Sequence, residues 1–478
     1  MSRLWTMDEI AAATGGRLAG GPFASVGGFS IDTRSLKPGD VFVALTGERN
    51  DGHAYVEAAL SAGAVAAIIA EDKLPGLAMA GRYLIVDEPL AALYRLAAAS
   101  RARSAARIAA VTGSVGKTGT KEALRSVLAP SGPTHAALAS FNNHIGVPLT
   151  LSSMPATSTY GVFEIGMNHA GEITPLTQLV RPHVAIVTTV EAAHLEYFSS
   201  VEEIAEAKAE IFAGLEPGGA ALINRDNAFH DVLAQRASAR GARVILFGEH
   251  PAADVRLVDV RDGADGSLVT ASVLGTQMTY RIGMPGRHVV QNSLAVLGAV
   301  SVLGGDLALA GVAYARLRAP RGRGECLTFA LPQGGSFMLI DESYNANPAS
   351  MAAAFAVLGA SRPGAGGRRI AILGDMLELG AAAKDLHEAL ASPLLAAQVD
   401  LVFTAGPLME ALHHHLPSAN RGGHASSAAD IEAAVIALPR AGDVIMVKGS
   451  NGSRVAAIVA AFKTRYALAG QDNGADKA

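Results

Sequence analysis

An apolar run, Ile108 to Val111, leads straight into Thr112-Gly113-Ser114-Val115-Gly116-Lys117-Thr118, and a helical pattern follows from Lys121 to Leu128. Few folds accommodate that order. A strand, a glycine turn and a helix start gather backbone N–H groups around an anion, with Lys to neutralise charge and a Thr hydroxyl in reach of Mg²⁺. The expectation is a parallel α/β sheet holding nucleotide phosphates. The common form of the loop has another glycine five residues before Gly116, where this chain has Val111. What stands here is the shorter Thr-Gly-x-x-Gly-Lys-Thr. A bare glycine turn with a surface lysine is the alternative, and it explains poorly why Gly, Lys and Thr coincide after an apolar strand.

The chain has 478 residues, room for roughly three domains. It is 50% hydrophobic and 17% charged, so large cores are available and wholesale disorder is not expected. The net charge of −4 and the lack of a long basic run argue against nucleic acid as the main partner. Arg362, Arg368 and Arg369, set among Gly and Pro, read as a solvated loop. Cys326 is the single cysteine, so no intrachain disulfide forms, which fits a reducing cytoplasm. The first residues lack the apolar core of a signal peptide, and runs such as Ala62 to Ala70 are too short for a bilayer. A cytoplasmic protein without membrane insertion is expected. His413 to His415 read as the solvated side of a helix, with no other ligand type clustered nearby.

Residues 1–84 read as a small α/β unit. Lys37-Pro38-Gly39-Asp40 is a turn before strand Val41 to Leu45, and Asp51-Gly52-His53 opens a helix leading to strand Val65 to Ala70. Asp32, Thr33 and Arg34 sit in a loop beside strands, as either an Asx-turn with a surface Arg or an anion contact. Residues 85–318 form a second unit of near-continuous apolar strands separated by helical patterns, the mark of a parallel sheet covered on both faces. Its later part, Val255 to Ile282, is more β-rich. A third unit, 319–478, repeats the parallel style, with a polar tail from about Gln471 expected to be disordered.

Parallel sheets bind ligands beyond the carboxyl ends of their strands. Strand Tyr160 to Ile165 carries Glu164 near its end, in an otherwise apolar run where an unpaired charge is costly. It is either a metal ligand or half of a structural ion pair. Strand Val184 to Val190 ends at Glu191, with His194 just beyond, as either a ligand or a satisfied loop histidine. On the helix Val201 to Leu215, Lys208 falls on the same stripe as Ile204 and Ile211. It either snorkels or sits in a desolvated site. Desolvation would free the amine to add CO₂ as a carbamate, which is an anion and a Mg²⁺ ligand. A phosphate loop with Glu, His and a modified Lys points to a two-Mg²⁺ nucleotide site and ATP-driven joining of two molecules.

These motifs together resemble the Mur ligase family over nearly the whole chain. Asp32-Thr33-Arg34, the run Pro38 to Leu45 and Asp51-Gly52-His53 are similar to its UDP-sugar-binding domain. Thr112 to Thr118 is similar to the family's own shortened loop. Asn142, Asn143, Gly146 and Pro148 match its next motif, and Glu164 to His169 with Gly171-Glu172-Ile173 the one after. Ser343 to Pro348, Leu373 to Gly380 and Lys448 to Arg454 resemble the members that accept a D-alanyl-D-alanine amine. Two departures stand out: the family's His-Asn is His288-Val289 here, and Glu342 replaces an Asp.

The resemblance implies three domains: a small N-terminal α/β domain, a central mononucleotide-binding domain and a Rossmann-like C-terminal domain. It implies a monomer that uses ATP and two Mg²⁺ to join D-alanyl-D-alanine to UDP-N-acetylmuramoyl-tripeptide through an acyl phosphate. By this resemblance Lys117, Glu164, His194 and Lys208 are catalytic, and Thr118, Glu164, His194 and carbamylated Lys208 hold the metals. ATP falls to Thr112, Gly113, Ser114, Gly116, Lys117, Thr118, Asn142, Asn143, Asn292, Arg323, Asp341 and Tyr344. Asp32, Thr33, Arg34 and Gly47 take the UDP substrate, and Asn345, Asn347, Lys448, Ser450 and Asn451 the amine. A sister Mur or folylpolyglutamate-type ligase and, as a different class, a nucleotide-dependent switch remain the competing readings.

Overall fold

The apolar runs read from the sequence become largely buried strands, and these strands sort into three successive sheets. The computed structural model describes residues 3–47, 50–78, 81–137, 140–193, 195–263 and 266–469. His194 and the tail from Gln471 therefore lie outside the described residues. Among the described residues no helix is long and apolar enough to cross a membrane.

The first sheet has the order Arg17–Ala19, Tyr83–Val86, Ala66–Ala70, Asp40–Val43, Gly28–Ser30. Only Arg17–Ala19 runs antiparallel to its neighbour. Tyr83–Val86 runs through residue 84, where the sequence suggested a boundary. Helix Pro89–Ala102 follows and packs Ala92, Leu93 and Leu96 into the core of this unit, beside Leu149 from the next. Trp5 Nε1 donates to the Ser152 carbonyl at 2.9 Å. The first two units thus share buried packing as well as a chain connection.

The central sheet has nine strands, in the order Thr276–Ile282, Gly266–Val273, Val255–Gly263, Arg243–Gly248, Ala220–Asn224, Val184–Val187, Arg107–Thr112, Tyr160–Glu164, Thr134–Ala136. The first three form an antiparallel extension, and the remaining pairings are parallel. Alternate residues of Arg107–Thr112 supply two cores. Ala109 and Val111 pack beneath helices Lys117–Leu128 and Arg287–Val302, while Ile108 and Ala110 join Ile204 and Ile211 on the other face. Burial on both faces explains why these strands read as unbroken apolar runs. The register sets Glu164 beside Val111 and Val187 beside Thr112. Three strand ends therefore meet at the glycine loop.

The third sheet has the order Glu325–Ala330, Ser336–Glu342, Val444–Lys448, Arg369–Gly374, Leu401–Ala405, Arg421–Ala425, parallel except at its first strand. Lys448 is in register with Glu342 on one side and Leu373 on the other.

Two helices differ from their sequence patterns. The helix after the glycine loop starts at Lys117, four residues earlier than the apolar pattern, because the loop itself supplies its first turn. The helix expected over Val201 to Leu215 is α-helical over Val201–Ala209 and then tightens to a 3₁₀ turn, Glu210–Gly214. Thr177 Oγ1 takes the Ile211 carbonyl at 2.7 Å, and Leu215 N bonds Phe212 O instead. Lys208 stays in the α-helical part.

Candidate active site

The glycine loop is shaped by two positions that exclude a side chain. Gly113 has φ 149°, and a Cβ there would lie 1.9 Å from Thr188 Oγ1. Gly116 has φ 88°, and a Cβ there would lie 2.7 Å from Asn292 Nδ2. Thr188 Oγ1 donates to Val115 O at 2.6 Å, Ser114 N to Thr189 O at 2.9 Å and Glu191 N to Ser114 Oγ at 2.9 Å. The loop is thereby bolted to the chain leaving Val184–Val187. No side chain caps the helix that begins at Lys117, so its first-turn N–H groups face the cleft as an anion site. Lys117 Nζ donates to Gly113 O. Burial pushes the Lys117 ammonium down, Glu164 opposes that, and Arg323 adds to it.

Glu164 is 3% exposed. Its Oε2 accepts from Thr118 Oγ1 at 2.9 Å and its Oε1 from Asn142 Nδ2 at 2.8 Å. It is not half of an ion pair among the described residues; it is a carboxylate oriented by a hydroxyl and an amide. Gly166 makes room for Asn142, whose amide would otherwise lie 3.0 Å from a Cβ. Ser140 Oγ lies 3.4 Å from Thr118 Oγ1 and accepts from Arg323 Nη2 at 3.4 Å, joining the central unit to the third.

Lys208 does not snorkel. It is 1% exposed and has no hydrogen-bond or ion-pair partner among the described residues. Burial holds its ammonium well below the usual lysine range, and the charge of Lys117 lowers it further. A buried amine beside another cation favours the neutral form.

The third unit closes the cleft from the opposite side. The Arg323 guanidinium stacks over the Tyr344 ring at 4.0 Å, and Tyr344 N donates to Gly322 O at 3.0 Å. Lys448 Nζ donates to Glu342 Oε2 at 3.3 Å and Asn345 O at 3.0 Å. Tyr344, Asn345, Asn347 and Lys448 line the same cleft as Ser114, Gly116, Lys117 and Thr118, with a volume of about 310 Å³. Asn347 also caps helix Pro348–Ala360, its Oδ1 accepting from Ser350 N at 2.8 Å.

Several residues expected at the site act beneath it and do not line the cleft. Thr112 lies beneath it, its carbonyl accepting from Thr188 N at 3.0 Å, and Gly113 packs against Thr188 Oγ1. The Asp341 carboxylate accepts from Gly322 N, Ser343 N and Ser343 Oγ. Asn143 Oδ1 accepts from Gly146 N at 2.9 Å and starts helix Gly146–Ser152. Ser450, 4% exposed, accepts from Leu377 N and donates to Ala346 O. Asn451 opens the short turn that follows. Of the adjacent Asp341 and Glu342, it is Glu342, noted in the sequence only as a departure, that reaches the cleft.

The cleft is also lined by Asn292 together with Met284, His288, Val289, Tyr314, Leu317 and Pro320. Apart from Asn292 and the His288-Val289 departure, this wall was not read from the sequence. Apolar residues at a helix start and in a linker carry no pattern distinct from core.

Asp32, Thr33, Arg34 and Gly47 lie in the first unit, away from this cleft. Asp32 makes an Asx-turn, accepting from Arg34 N at 2.9 Å, and also grips the exposed Arg34 guanidinium at 2.6 Å. Arg34 holds the Asp32 carboxyl down to about 2. Both sequence readings of this loop therefore survive, since the guanidinium remains accessible. Gly47 N bonds Asn50 O at 2.9 Å. Asp51 and His53, read in the sequence as one motif, gain a partner that was not: Asp51 holds His53 Nδ1 at 2.6 Å and Lys73 Nζ at 2.9 Å.

The chain is similar to known proteins in sequence and in fold. Residues 25–101 match a family model described as Mur ligase family, catalytic domain; 111–300 match Mur ligase middle domain; 322–451 match Mur ligase, glutamate ligase domain. The chain is 35% identical to UDP-N-acetylmuramoyl-tripeptide–D-alanyl-D-alanine ligase of Escherichia coli, over 85% of this chain and 87% of that one. It is similar to the crystal structure of MurF from Acinetobacter baumannii, with TM-score 0.82, 28% identity, and 96% of this chain and 98% of that chain covered. MurF ligase from Thermotoga maritima in complex with ADP matches with TM-score 0.75 at 26% identity, covering 91% and 97%.

Proposed function

This chain belongs to the Mur ligase family, and from that membership we propose how its residues work. It is an ATP-dependent ligase that adds D-alanyl-D-alanine to UDP-N-acetylmuramoyl-tripeptide. The observation that carries the reading is one cleft with two walls. The phosphate loop stands on one wall and Tyr344, Asn345 and Lys448 of the third unit on the other.

ATP lies with its base beside Asn292 and its phosphates over Gly116, Lys117 and the helix N-terminus. The tripeptide carboxylate attacks the γ-phosphorus, the bond to the ADP oxygen breaks, and an acyl phosphate forms. The dipeptide amine then attacks the acyl carbon. The tetrahedral intermediate loses inorganic phosphate and one proton, leaving the amide. Lys117 and the helix N-terminus oppose the charge that develops on the transferring phosphoryl group. Lys448 and the main chain of Asn345 shape the wall from which the amine approaches. Asp32, Thr33, Arg34 and Gly47 take the UDP end of the substrate.

Thr118 Oγ1 and the Glu164 carboxylate, gathered in one buried spot, make a hard oxygen donor set that fits Mg²⁺. Thr118 and Glu164 would hold one ion; Glu164, His194 and a carbamylated Lys208 would hold the second. When bound, Mg²⁺ supplies neutralising charge to the β- and γ-phosphates. The burial of Lys208 without a counter-charge among the described residues supports the carbamate. Burial leaves its amine neutral; the nitrogen bonds the carbon of CO₂, one proton leaves, and a neutral buried group becomes an anion beside the Lys117 cation. A nucleotide-linked substrate and ATP put the reaction in the cytoplasm. The working unit is taken to be the monomer.

The test is phosphate release by the pure full-length protein. Release that requires both UDP-N-acetylmuramoyl-tripeptide and D-alanyl-D-alanine is expected. Release indifferent to either would replace the ligase with a nucleotide switch.

A further inference from the structure

Two tyrosines pack together at the base end of the cleft and differ in one respect. The rings of Tyr280 and Tyr314 stand 5.7 Å apart, tilted by 50°. The Tyr280 hydroxyl bonds Ser293 Oγ at 2.6 Å, and Ser293 in turn donates to Val290 O at 2.6 Å. Tyr280 is therefore satisfied inside the core. Tyr314 is 1% exposed, yet its hydroxyl has no hydrogen-bond partner among the described residues. Nor is that oxygen among the wholly enclosed unpartnered atoms, such as Thr112 Oγ1 and Ser152 Oγ. It keeps access to space, and the space Tyr314 borders is the cleft, alongside Asn292 and Val289.

A hydroxyl removed from water without a partner is costly, and phenylalanine would fill the same volume without that cost. Nothing in the packing of helix Leu307–Tyr314 requires the oxygen. We infer that the Tyr314 hydroxyl is a hydrogen-bonding contact for the nucleobase, acting with Asn292 to set which base the nucleotide site accepts. This inference rests on ATP being the nucleotide of the cleft. The surroundings suit a purine face. Val289, Leu317 and Pro320 supply apolar walls, and Asn292 and Tyr314 on the same stretch of the cleft offer polar groups for a ring edge to meet. A hydroxyl both donates and accepts, so it serves either a ring nitrogen or an exocyclic amine.

The experiment uses full-length Tyr314→Phe, which keeps the ring and its packing against Tyr280. Calorimetry compares ADP with inorganic tripolyphosphate, which occupies the phosphate loop but has no base. Expected are a Kd for ADP about 3- to 10-fold weaker, an unchanged Kd for tripolyphosphate and a KM for ATP raised by the same factor. Unchanged ADP affinity overturns the inference. So does an equal loss for tripolyphosphate, which would mark a general disturbance of the loop. Purine riboside triphosphate, which lacks the 6-amino group, assigns the bond. A KM penalty equal to that for ATP identifies a ring nitrogen, and no penalty identifies the amine; either supports the contact. Wild-type protein that fails to bind ADP would instead remove the ATP reading on which the inference stands.

Discussion

Glu342 and Lys448 stand opposite one another on adjacent parallel strands, and their side chains meet at 3.3 Å on the cleft wall. Lys448 is 2% exposed, so its ammonium depends on Glu342 and the Asn345 carbonyl for the solvation it has lost. Lys448→Met leaves the carboxylate unpaired in the cleft. It is expected to lower the unfolding free energy by about 1–3 kcal/mol and amine-dependent turnover by roughly 100-fold. Adding Glu342→Gln should recover stability but not turnover, because the leftover charge is then gone while the ammonium stays absent. Denaturant unfolding of the single and double variants measures this. A double variant as unstable as the sum of the singles would show that the two groups do not act as a pair.

Gly116 is held at φ 88°, with Asn292 directly behind it. Gly116→Ala adds left-handed strain of about 1–2 kcal/mol and drives a methyl into the Asn292 amide. The sheet beneath does not depend on this position. ADP affinity is expected to fall at least about tenfold, with a thermal midpoint within a few degrees of wild type. Wild-type affinity in calorimetry would mean that phosphates are not held at this turn.

The strands were legible because burial on both faces leaves an unbroken apolar run, as in Ile108 to Val111. Their order was not. No local pattern sets Arg107–Thr112 between Tyr160–Glu164 and Val184–Val187, yet that order is what brings Glu164 to Thr118. Side-chain direction at strand ends was equally hidden. Successive residues of Ser336–Glu342 face opposite sides, so Asp341 engages the backbone of Gly322 and Ser343 while Glu342 reaches the cleft. Asn143 and Ser450 carry cleft-like chemistry but satisfy nearby backbone groups instead. The base wall was least visible, since Tyr314, Leu317 and Pro320 become a wall only once the third unit folds back over the second.

His387 gives the third unit a pH-dependent clamp. It is fully buried; its Nε2 accepts from Met376 N at 3.0 Å, so the ring proton sits on Nδ1, 2.6 Å from the Ala383 carbonyl. Burial lowers its folded pKa below 6.5, although the Ala383 carbonyl and nearby Asp375 pull the other way. Above pH 6.5 the ring is neutral in both folded and unfolded chains, and the clamp contributes fully. As pH falls, the unfolded chain takes the proton first, so this contribution shrinks down to the folded pKa. His135 and His183 are also lowered by burial and share the wild-type slope. The difference between wild type and His387→Asn isolates this one group. The variant should be less stable at pH 7.5 and lose less further stability between pH 7 and 5. Parallel stability curves would rule the clamp out as a titrating device.

Lys208 lies on a core-facing helix with no partner for its ammonium among the described residues and a second cation, Lys117, close enough to lower its pKa. Two explanations compete. If the lysine is only a buried amine, Lys208→Ala removes an unfavourable group, leaves a small cavity, and has modest effect on turnover. If it carries a carbamate, the same substitution removes an anion from the phosphate-transfer site. Turnover then falls by roughly 100-fold or more, and a small carboxylate such as acetate or formate, entering the vacated space, restores part of it. Rescue should saturate with carboxylate and should fail with chloride at equal ionic strength, which separates site occupancy from screening. A mass increase matching one CO₂ on Lys208 in native wild-type protein, absent from Lys208→Ala, supplies evidence independent of rate. Full activity of the unrescued alanine variant would dispose of the carbamate.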